Sequence, residues 1–146
     1  MIHTIYQAGP LFSQAERQWH QQLTLKLEKA GHIVLWPGDL ISPELIAEAG
    51  EHAPRFIFDN CLAGIDESTI MVALLDGSQV DDGTSWEIGY AYAKGMPIYG
   101  IRTDSRIAGD THHNRMNSMI EGCLTGLAES MEQLVAMINE APARPA

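Results

Sequence analysis

Residues 70–75 read IMVALL, a continuous apolar run with the length of a β-strand. A strand that is apolar at every position is covered on both faces, which is typical of a parallel sheet packed between two layers of helices. A strand with one wet face would instead alternate between apolar and polar residues. The run therefore predicts the central strand of an α/β sheet, and no other feature of the chain limits the fold as much.

Strand-like and helix-like segments alternate along the rest of the chain. Apolar residues spaced by three or four positions predict helices, and short apolar runs bounded by Gly or Pro predict strands. Alternating strands and helices imply right-handed crossovers. We therefore expect a single-domain, doubly wound (flavodoxin-like) α/β sandwich, with a mostly parallel sheet of four to five strands and helices on both faces. The predicted strands are 1–6, 33–36, 70–75 and 97–101, and the predicted helices are 13–30, 56–65, 84–94 and 130–140; 41–50 is expected to be a loop with a helical turn, and 120–130 shows no clear pattern.

The length of 146 residues suits one domain with one core. We expect residues 1–140 to form this domain and 141–146, which are rich in Pro and Ala, to be a loose tail. No segment approaches the roughly 20 apolar residues that span a bilayer, and the first ten residues lack a basic stretch before an apolar run. The sequence therefore predicts a cytoplasmic protein.

The net charge of −10, with only nine Lys and Arg, excludes several partners. Nucleic acids and anionic membranes would meet a repulsive average field, so a neutral small molecule is the expected ligand. Cys61 and Cys123 lack metal-ligand spacing, and a cytoplasmic chain keeps both reduced. The six histidines include only one adjacent pair, which does not make a metal site. We expect no metal and no organic cofactor.

The segment DDGTSWE, residues 81–87, lies between the central strand and a helix. In parallel sheets, ligands bind beyond the carboxyl ends of the strands. Glu87 near a helix N-terminus is expected to be stabilised as an anion and to serve as a nucleophile, with Asp81 or Asp82 as the proton carrier. The simpler interpretation is a capping box in which Thr84 and Glu87 satisfy each other's backbone donors.

Three segments of the chain resemble the nucleoside 2-deoxyribosyltransferase family. IYQAGPLF at 5–12 resembles the family's I-Y-x-A-G-P-x-F, and DDGTSWEIGYA at 81–91 resembles D-x-G-T-x-x-E-x-G-x-A. NSMI at 117–120 resembles the family's N-x-M segment. The resemblance extends over nearly the whole chain, and its second segment is the most specific.

The resemblance implies a role for several residues. Glu87 would attack the sugar, Asp81 would serve the departing base, and Tyr6 would support the glutamate. Asn117 and Met119 would reach into a neighbouring subunit's site, where the asparagine binds the 5′-hydroxyl. The resemblance thus implies a homo-oligomer, a dimer or larger, with shared active sites that bind deoxynucleosides and free nucleobases.

Further substrate contacts are expected near the two strand ends. Gly9, Asp82 and Gly83 lie in the matching segments, and Asp39 resembles a family position that lines the base pocket. A turn aspartate is an equally good explanation of Asp39. Trp86 is expected to pack in the core rather than to wall the sugar pocket, because buried aromatics dominate cores.

Cys61 departs from the family pattern. Many relatives carry an acidic or amide side chain at this helix position, where it faces the substrate. Asp59, two residues earlier, would point about 200° around the helix. Either Cys61 is accepted at this position and the base is bound differently, or a local shift brings Asn60 or Asp59 into the site.

The resemblance implies base exchange with net retention of configuration. A glutamyl-deoxyribosyl intermediate would form and then react with a second base, as in retaining glycosidases. One alternative is a 2′-deoxynucleoside 5′-monophosphate N-glycosidase, which passes the sugar to water and needs cationic donors for the phosphate. The other alternative is a non-catalytic module that binds a nucleotide derivative and uses Glu87 only as a cap.

Overall fold

A five-stranded parallel sheet forms the centre of the computed structural model, which describes residues 1–142. The strand order is β2-β1-β3-β4-β5, and all neighbouring strands pair in parallel. The apolar run at 70–75 supplies the central strand, in which every residue is buried, as predicted. The strands are β1 (Thr4–Ala8), β2 (Ile33–Leu35), β3 (Ile70–Leu74), β4 (Ile98–Ile101) and β5 (Gly126–Ala128).

Helices connect the strands, and polar residues in the sequence mark where several of them begin. Ser13 caps the first helix in a capping box with Glu16. Ser42 accepts a hydrogen bond from the backbone N–H of Leu45, with Pro43 at the first helical position, which is a favourable helix start. The helices are α1 (Gln14–Lys29), α2 (Pro37–Leu40), α3 (Pro43–Ala49), α4 (Ala53–Glu67), α5 (Asp82–Ala93), α6 (Ser118–Glu121) and α7 (Met131–Glu140), and a 3-10 turn (Gly50–His52) precedes α4.

Two apolar layers cover the sheet, one on each face, as the sequence predicted. Side chains of α1 and α7 pack on the face that includes Ile5 and Val72. Side chains of α4 and α5 pack on the opposite face, which includes Tyr6 and Met71. Neighbouring strand residues thus point to opposite layers, as the pleat requires. This is a doubly wound α/β sandwich.

The structure differs from the sequence-based boundaries in several places, of which three bear on the architecture. Most of 41–50 is helical, because it contains α3, and the unpatterned stretch 120–130 contains the edge strand β5. Ala141, at the start of the expected tail, is buried, and its carbonyl oxygen lies 3.2 Å from Nε2 of His3. Residues 143–146 lie outside the described part of the chain. Within residues 1–142, no helix is both long and apolar enough to cross a bilayer.

The topology creates a crevice between β1 and β3. The chain leaves β1 towards α1 on one face and leaves β3 towards α5 on the other. In open parallel sheets, the gap at such a switch point is where ligands bind. Tyr6 and Gly9 approach this gap from β1, and Asp81 and Glu87 approach it from the segment after β3.

Candidate active site

A cavity of about 340 Å³ lies at this switch point. Its polar lining includes Asp81 and Glu87, and most of the remaining wall is apolar. The apolar wall comes from the loop after β1, from α3 and from α4. Such a cavity, mostly apolar with a few convergent polar groups, is typical of small-molecule sites. Six of its apolar side chains were not among the predicted site residues: Leu11, Phe12, Pro37, Ile41, Ile46 and Ile57.

Asp81 begins α5 as its N-cap. Its Oδ2 atom accepts hydrogen bonds from the backbone N–H of Thr84 at 2.9 Å and from the Thr84 hydroxyl at 2.8 Å. The capping box predicted for Thr84 and Glu87 is therefore wrong, because Thr84 is already the third residue of the helix. Asp81 takes the cap because its carboxylate satisfies a backbone donor and a hydroxyl at once. Glu87 consequently lies in the second turn and caps nothing.

Glu87 is half-buried, and its environment opposes its charge. Burial raises the pKa of its carboxyl from 4.5 to about 7, the adjacent Tyr6 hydroxyl lowers it, and the negative charge of Asp81 raises it further. We predicted that the helix N-terminus would favour the anion. That prediction is wrong, because the stabilising effect of a helix N-terminus fades beyond the first turn and burial outweighs it. Glu87 is thus an acid poised near neutral pH.

Tyr6 lies beneath the cavity and is fully buried. Its hydroxyl has no hydrogen bond of regular geometry within residues 1–142. It is nevertheless close enough to Glu87 and Cys61 for both groups to interact with it, and burial followed by these two neighbours raises the pKa of Tyr6 far above its usual value. The phenol is therefore a neutral donor placed next to the Glu87 carboxyl, with its proton not committed elsewhere.

Cys61 lines the cavity, so it is the α4 residue that faces the substrate position rather than Asn60 or Asp59. Burial raises the pKa of its thiol, so it is neutral beside Glu87. Asp59 instead pairs with Arg55 at 2.9 Å, and the Asn60 amide donates to the Phe56 carbonyl at 2.8 Å. No local shift brings either neighbour into the cavity.

Besides Tyr6, which lies below the cavity, four predicted site residues do not line it. Asp82 is exposed, and its Oδ1 atom accepts a hydrogen bond from the Gly83 N–H, although Gly83 itself does line the cavity. Asp39 is exposed on α2. Asn117 and Met119 line a separate cavity of about 670 Å³, and Met119 is 81% exposed. The cavity of this chain therefore unites Gly9, Cys61, Asp81, Gly83 and Glu87, with Tyr6 below.

The prediction that Trp86 packs in the core is wrong. Its side chain is 50% exposed, and it stacks on Tyr90 with ring centroids 5.6 Å apart. Phe58 meets the same indole edge-on at 5.2 Å. Trp86 and Glu87 both line a smaller pocket of about 290 Å³ that adjoins the main cavity. The indole thus forms an outer wall of the site.

Within residues 1–142, no three His, Cys, Asp or Glu side chains are placed to hold a metal ion together. The buried histidines His3, His20 and His32 contact protein groups through their ring nitrogens.

The fold and the cavity define an α/β protein that receives a small ligand at the switch point of a parallel sheet. The chain belongs to the nucleoside 2-deoxyribosyltransferase family, whose model matches residues 5–119. This range contains Tyr6, Asp81 and Glu87 and ends at Met119. Members of the family act on nucleosides by glycosyl transfer or glycosidic cleavage.

Solved structures support this membership. A 2-deoxyribosyltransferase from Bacillus psychrosaccharolyticus is 25% identical, with a TM-score of 0.76 and coverage of 98% of each chain. A conserved protein from Enterococcus faecalis is 27% identical, with a TM-score of 0.74 and coverage of 96% of this chain and 99% of its own. A CMP N-glycosidase from Clostridium botulinum is 17% identical, with a TM-score of 0.57 and coverage of 94% and 99%, and it shares the fold.

Proposed function

We propose that the protein is a nucleoside 2-deoxyribosyltransferase that exchanges the base of a 2′-deoxyribonucleoside, with Glu87 as the nucleophile. The observation that carries the proposal is the placement of the Glu87 carboxyl in an apolar cavity, next to the Tyr6 hydroxyl and within the field of Asp81. Family membership and the 25% identical 2-deoxyribosyltransferase structure support the same function.

In the first step, the Glu87 carboxylate attacks C1′ of the sugar as the bond to the base breaks. The base leaves with the bonding electron pair and takes a proton from Asp81. The product is a deoxyribosyl ester of Glu87, with the configuration at C1′ inverted. The neutral Tyr6 hydroxyl is positioned to orient the carboxylate for this attack.

In the second step, a nitrogen atom of the arriving base attacks C1′ from the face that the first base vacated. Asp81 takes the proton that this nitrogen loses, and the C1′ bond to Glu87 breaks, which restores both carboxyl groups. Two inversions give retention. Oδ2 of Asp81 is engaged by Thr84, whereas Oδ1 accepts no hydrogen bond from residues 1–142. We assign the transferable proton to Oδ1.

The arginines near Asn117 favour the transferase over the monophosphate hydrolase. Arg102 is buried and donates to backbone carbonyls, including that of Leu75. Arg106 pairs with Asp104, and Arg115 pairs with Glu129. A 5′-phosphate needs several convergent donors, and each of these guanidinium groups already donates to a protein acceptor, Arg102 through its terminal nitrogens.

The proposal predicts transfer rather than hydrolysis. Purified protein incubated with deoxyinosine and free adenine is expected to form deoxyadenosine and hypoxanthine in equal amounts, as followed by liquid chromatography. A parallel incubation with deoxynucleoside 5′-monophosphates in water serves as the comparison. Release of free base mainly from the monophosphate would establish the hydrolase, and absence of turnover in both incubations would favour a binding module.

We also propose that the active sites are shared within a homo-oligomer. Asn117 and Met119 lie outside the Glu87 cavity of their own chain, and the exposed Met119 is available to a neighbour. Glu87→Ala and Asn117→Ala proteins, each inactive alone, are expected to regain activity when mixed, because mixed oligomers contain some intact sites. Mixtures that stay inactive although subunits exchange would refute the shared site.

A further inference from the structure

A buried histidine lies directly behind the candidate active site, and the chemistry above does not use it. His20, in α1, has no exposed surface. Its ring contacts the loop that follows β1 and also Trp36, the residue before α2. Both neighbours lead into the wall of the Glu87 cavity: Gly9, Leu11 and Phe12 on one side and Pro37 on the other. His20 therefore connects two walls of one cavity.

The loop after β1 packs on the imidazole through its main chain. Nε2 of His20 lies 3.1 Å from the carbonyl oxygen of Pro10. Gly9 has a φ of +152°, and a Cβ atom at this position would be 2.6 Å from Cε1 of His20. Only glycine allows the main chain to come this close to the ring. The position of the loop is thus set by the imidazole surface.

The polar contacts of His20 fit one neutral form of the ring. The Pro10 carbonyl can only accept, so Nε2 carries the proton and donates it. Nδ1 accepts from the Gln7 amide nitrogen at 3.0 Å. That amide also donates to the His20 carbonyl, and its oxygen accepts from the Thr24 hydroxyl, which fixes its orientation. A second ring proton at Nδ1 would face a donor, and burial lowers the pKa of His20 to about 4.

The second wall contacts the same ring by stacking. The centroids of His20 and Trp36 are 5.5 Å apart, and the ring planes differ by 21°. Trp36 is buried and occupies the N-cap position of α2, so its position sets that of Pro37. The imidazole thus contacts the loop after β1 through a hydrogen bond and contacts Trp36, next to Pro37, through ring stacking.

We propose that His20 is a positioning residue: its neutral ring sets the separation between the loop at 9–12 and Pro37, and so the width of the cavity that receives the base beside Glu87. This inference rests on the proposed function. Because His20 does not contact the Glu87 carboxyl, its loss should loosen the binding of the base more than it slows the chemical step. A displacement of about 1 Å in the position of a substrate can lower catalytic efficiency by as much as 10²-fold.

Kinetics of three variants test the proposal. His20→Leu is expected to raise the KM for the acceptor base by roughly ten- to a hundred-fold, with a smaller change in kcat. His20→Gln, whose Nε2 can still donate to Pro10, is expected to recover most of this loss. His32→Leu is the matched control, since His32 is also buried but lies immediately before β2, at the end of that strand away from Trp36, and contacts Asn139. Its melting temperature should fall while its KM stays unchanged. An unchanged KM in folded His20→Leu protein would overturn the proposal.

Two measurements that need no turnover separate this inference from the proposed function. Nitrogen NMR of the wild-type ring is expected to show a proton on Nε2 alone down to about pH 5, below the ordinary histidine pKa of about 6.5. Amide hydrogen exchange at Leu11 and Phe12 is expected to accelerate in His20→Leu protein but not in His32→Leu protein. If wild-type protein fails to exchange bases, the proposed function is wrong. Amide hydrogen exchange in the loop still tests whether His20 positions that loop. Unchanged loop exchange, or a ring that titrates normally, would refute the positioning role.

Discussion

Glu87→Gln protein is expected to lose base exchange and to gain stability at pH 8. Glutamine has nearly the same shape but cannot form the sugar ester, so the exchange rate should fall by about 10⁴-fold or more, the scale for loss of a catalytic nucleophile. Steady-state exchange between deoxyinosine and adenine measures the first effect. Thermal unfolding followed by circular dichroism measures the second.

The gain in stability follows from the pKa of the buried carboxyl. The folded protein raises the pKa of Glu87 from 4.5 to about 7, so it binds this proton more tightly than the unfolded chain. The contribution of the group to stability is full below the lower value and is lost as the pH rises through the higher one. A neutral glutamine avoids this loss. We expect Glu87→Gln protein to be more stable by about 1–3 kcal/mol at pH 8, with no gain below about pH 4.5.

Glu67→Gln is a suitable control, because Glu67 is an exposed carboxylate at the end of α4. Its removal should change the free energy of unfolding by less than about 0.5 kcal/mol at either pH and leave exchange intact. Wild-type exchange rates in Glu87→Gln protein would exclude Glu87 as the nucleophile. Equal stability of wild type and variant at pH 8 would show that the folded protein does not oppose the charge.

The sheet could be predicted from the sequence because a central strand that is buried on both faces is apolar at every position, as residues 70–75 are. The edge strand β5 could not, because two of its three residues, Gly126 and Ala128, are depleted in strands, whereas the equally short β2 reads Ile-Val-Leu. The convergence of Tyr6, Asp81 and Glu87 was predictable for a different reason. Tyr6 lies within β1, and Asp81 and Glu87 follow β3, the strand that pairs with β1, so parallel topology brings all three together.

The electrostatics of Glu87 could not be predicted, because they depend on where α5 begins. Asp81 and Thr84 are both good N-cap residues, and the sequence alone does not choose between them. With Asp81 as the cap, Glu87 lies one turn deeper, and its pKa rises instead of falling. The helix start thus removes the stabilising effect of the helix N-terminus, and burial, the largest cause, raises the pKa.

Trp86 and His20 show two further limits of sequence-based prediction. The buried stripe of α5 includes Thr84 and Ile88, so Trp86, two residues before Ile88, points away from the core. His20 belongs to no motif. Its contacts with Pro10 and Trp36 join separate segments of the chain and appear only in the folded protein.

Asp81→Asn and Tyr6→Phe are expected to shift the pH dependence of exchange in opposite directions. With a donor whose base departs readily without protonation, no acid is needed and only the nucleophile must be ionised, so kcat/KM should rise with pH through the Glu87 pKa of about 7. The charge of Asp81 raises this pKa, and the Tyr6 hydroxyl lowers it. Asp81→Asn should therefore move the acidic limb of the profile to lower pH, and Tyr6→Phe should move it to higher pH.

Asp81→Asn should also slow exchange by roughly 10²- to 10⁴-fold, because the leaving base loses its proton donor. Asparagine is as good an N-cap as aspartate, so the Thr84 contact and the stability should persist. Asp81→Ala, in contrast, should add a loss of about 0.5–2 kcal/mol in the free energy of unfolding. Comparing the two variants separates the cap from the chemistry.

The choice of donor nucleoside provides the internal control for the role of Asp81. A deoxynucleoside whose base departs readily without protonation needs no acid, so Asp81→Asn should slow its first step much less than that of deoxyinosine. Tyr6→Phe should slow both donors alike, because Tyr6 acts on the nucleophile. An acidic limb that stays fixed in both variants would show that Glu87 does not control it. If Asp81→Asn lowers the exchange rate equally with good and poor leaving groups, Asp81 does not transfer the proton. Its role would then be only to cap α5.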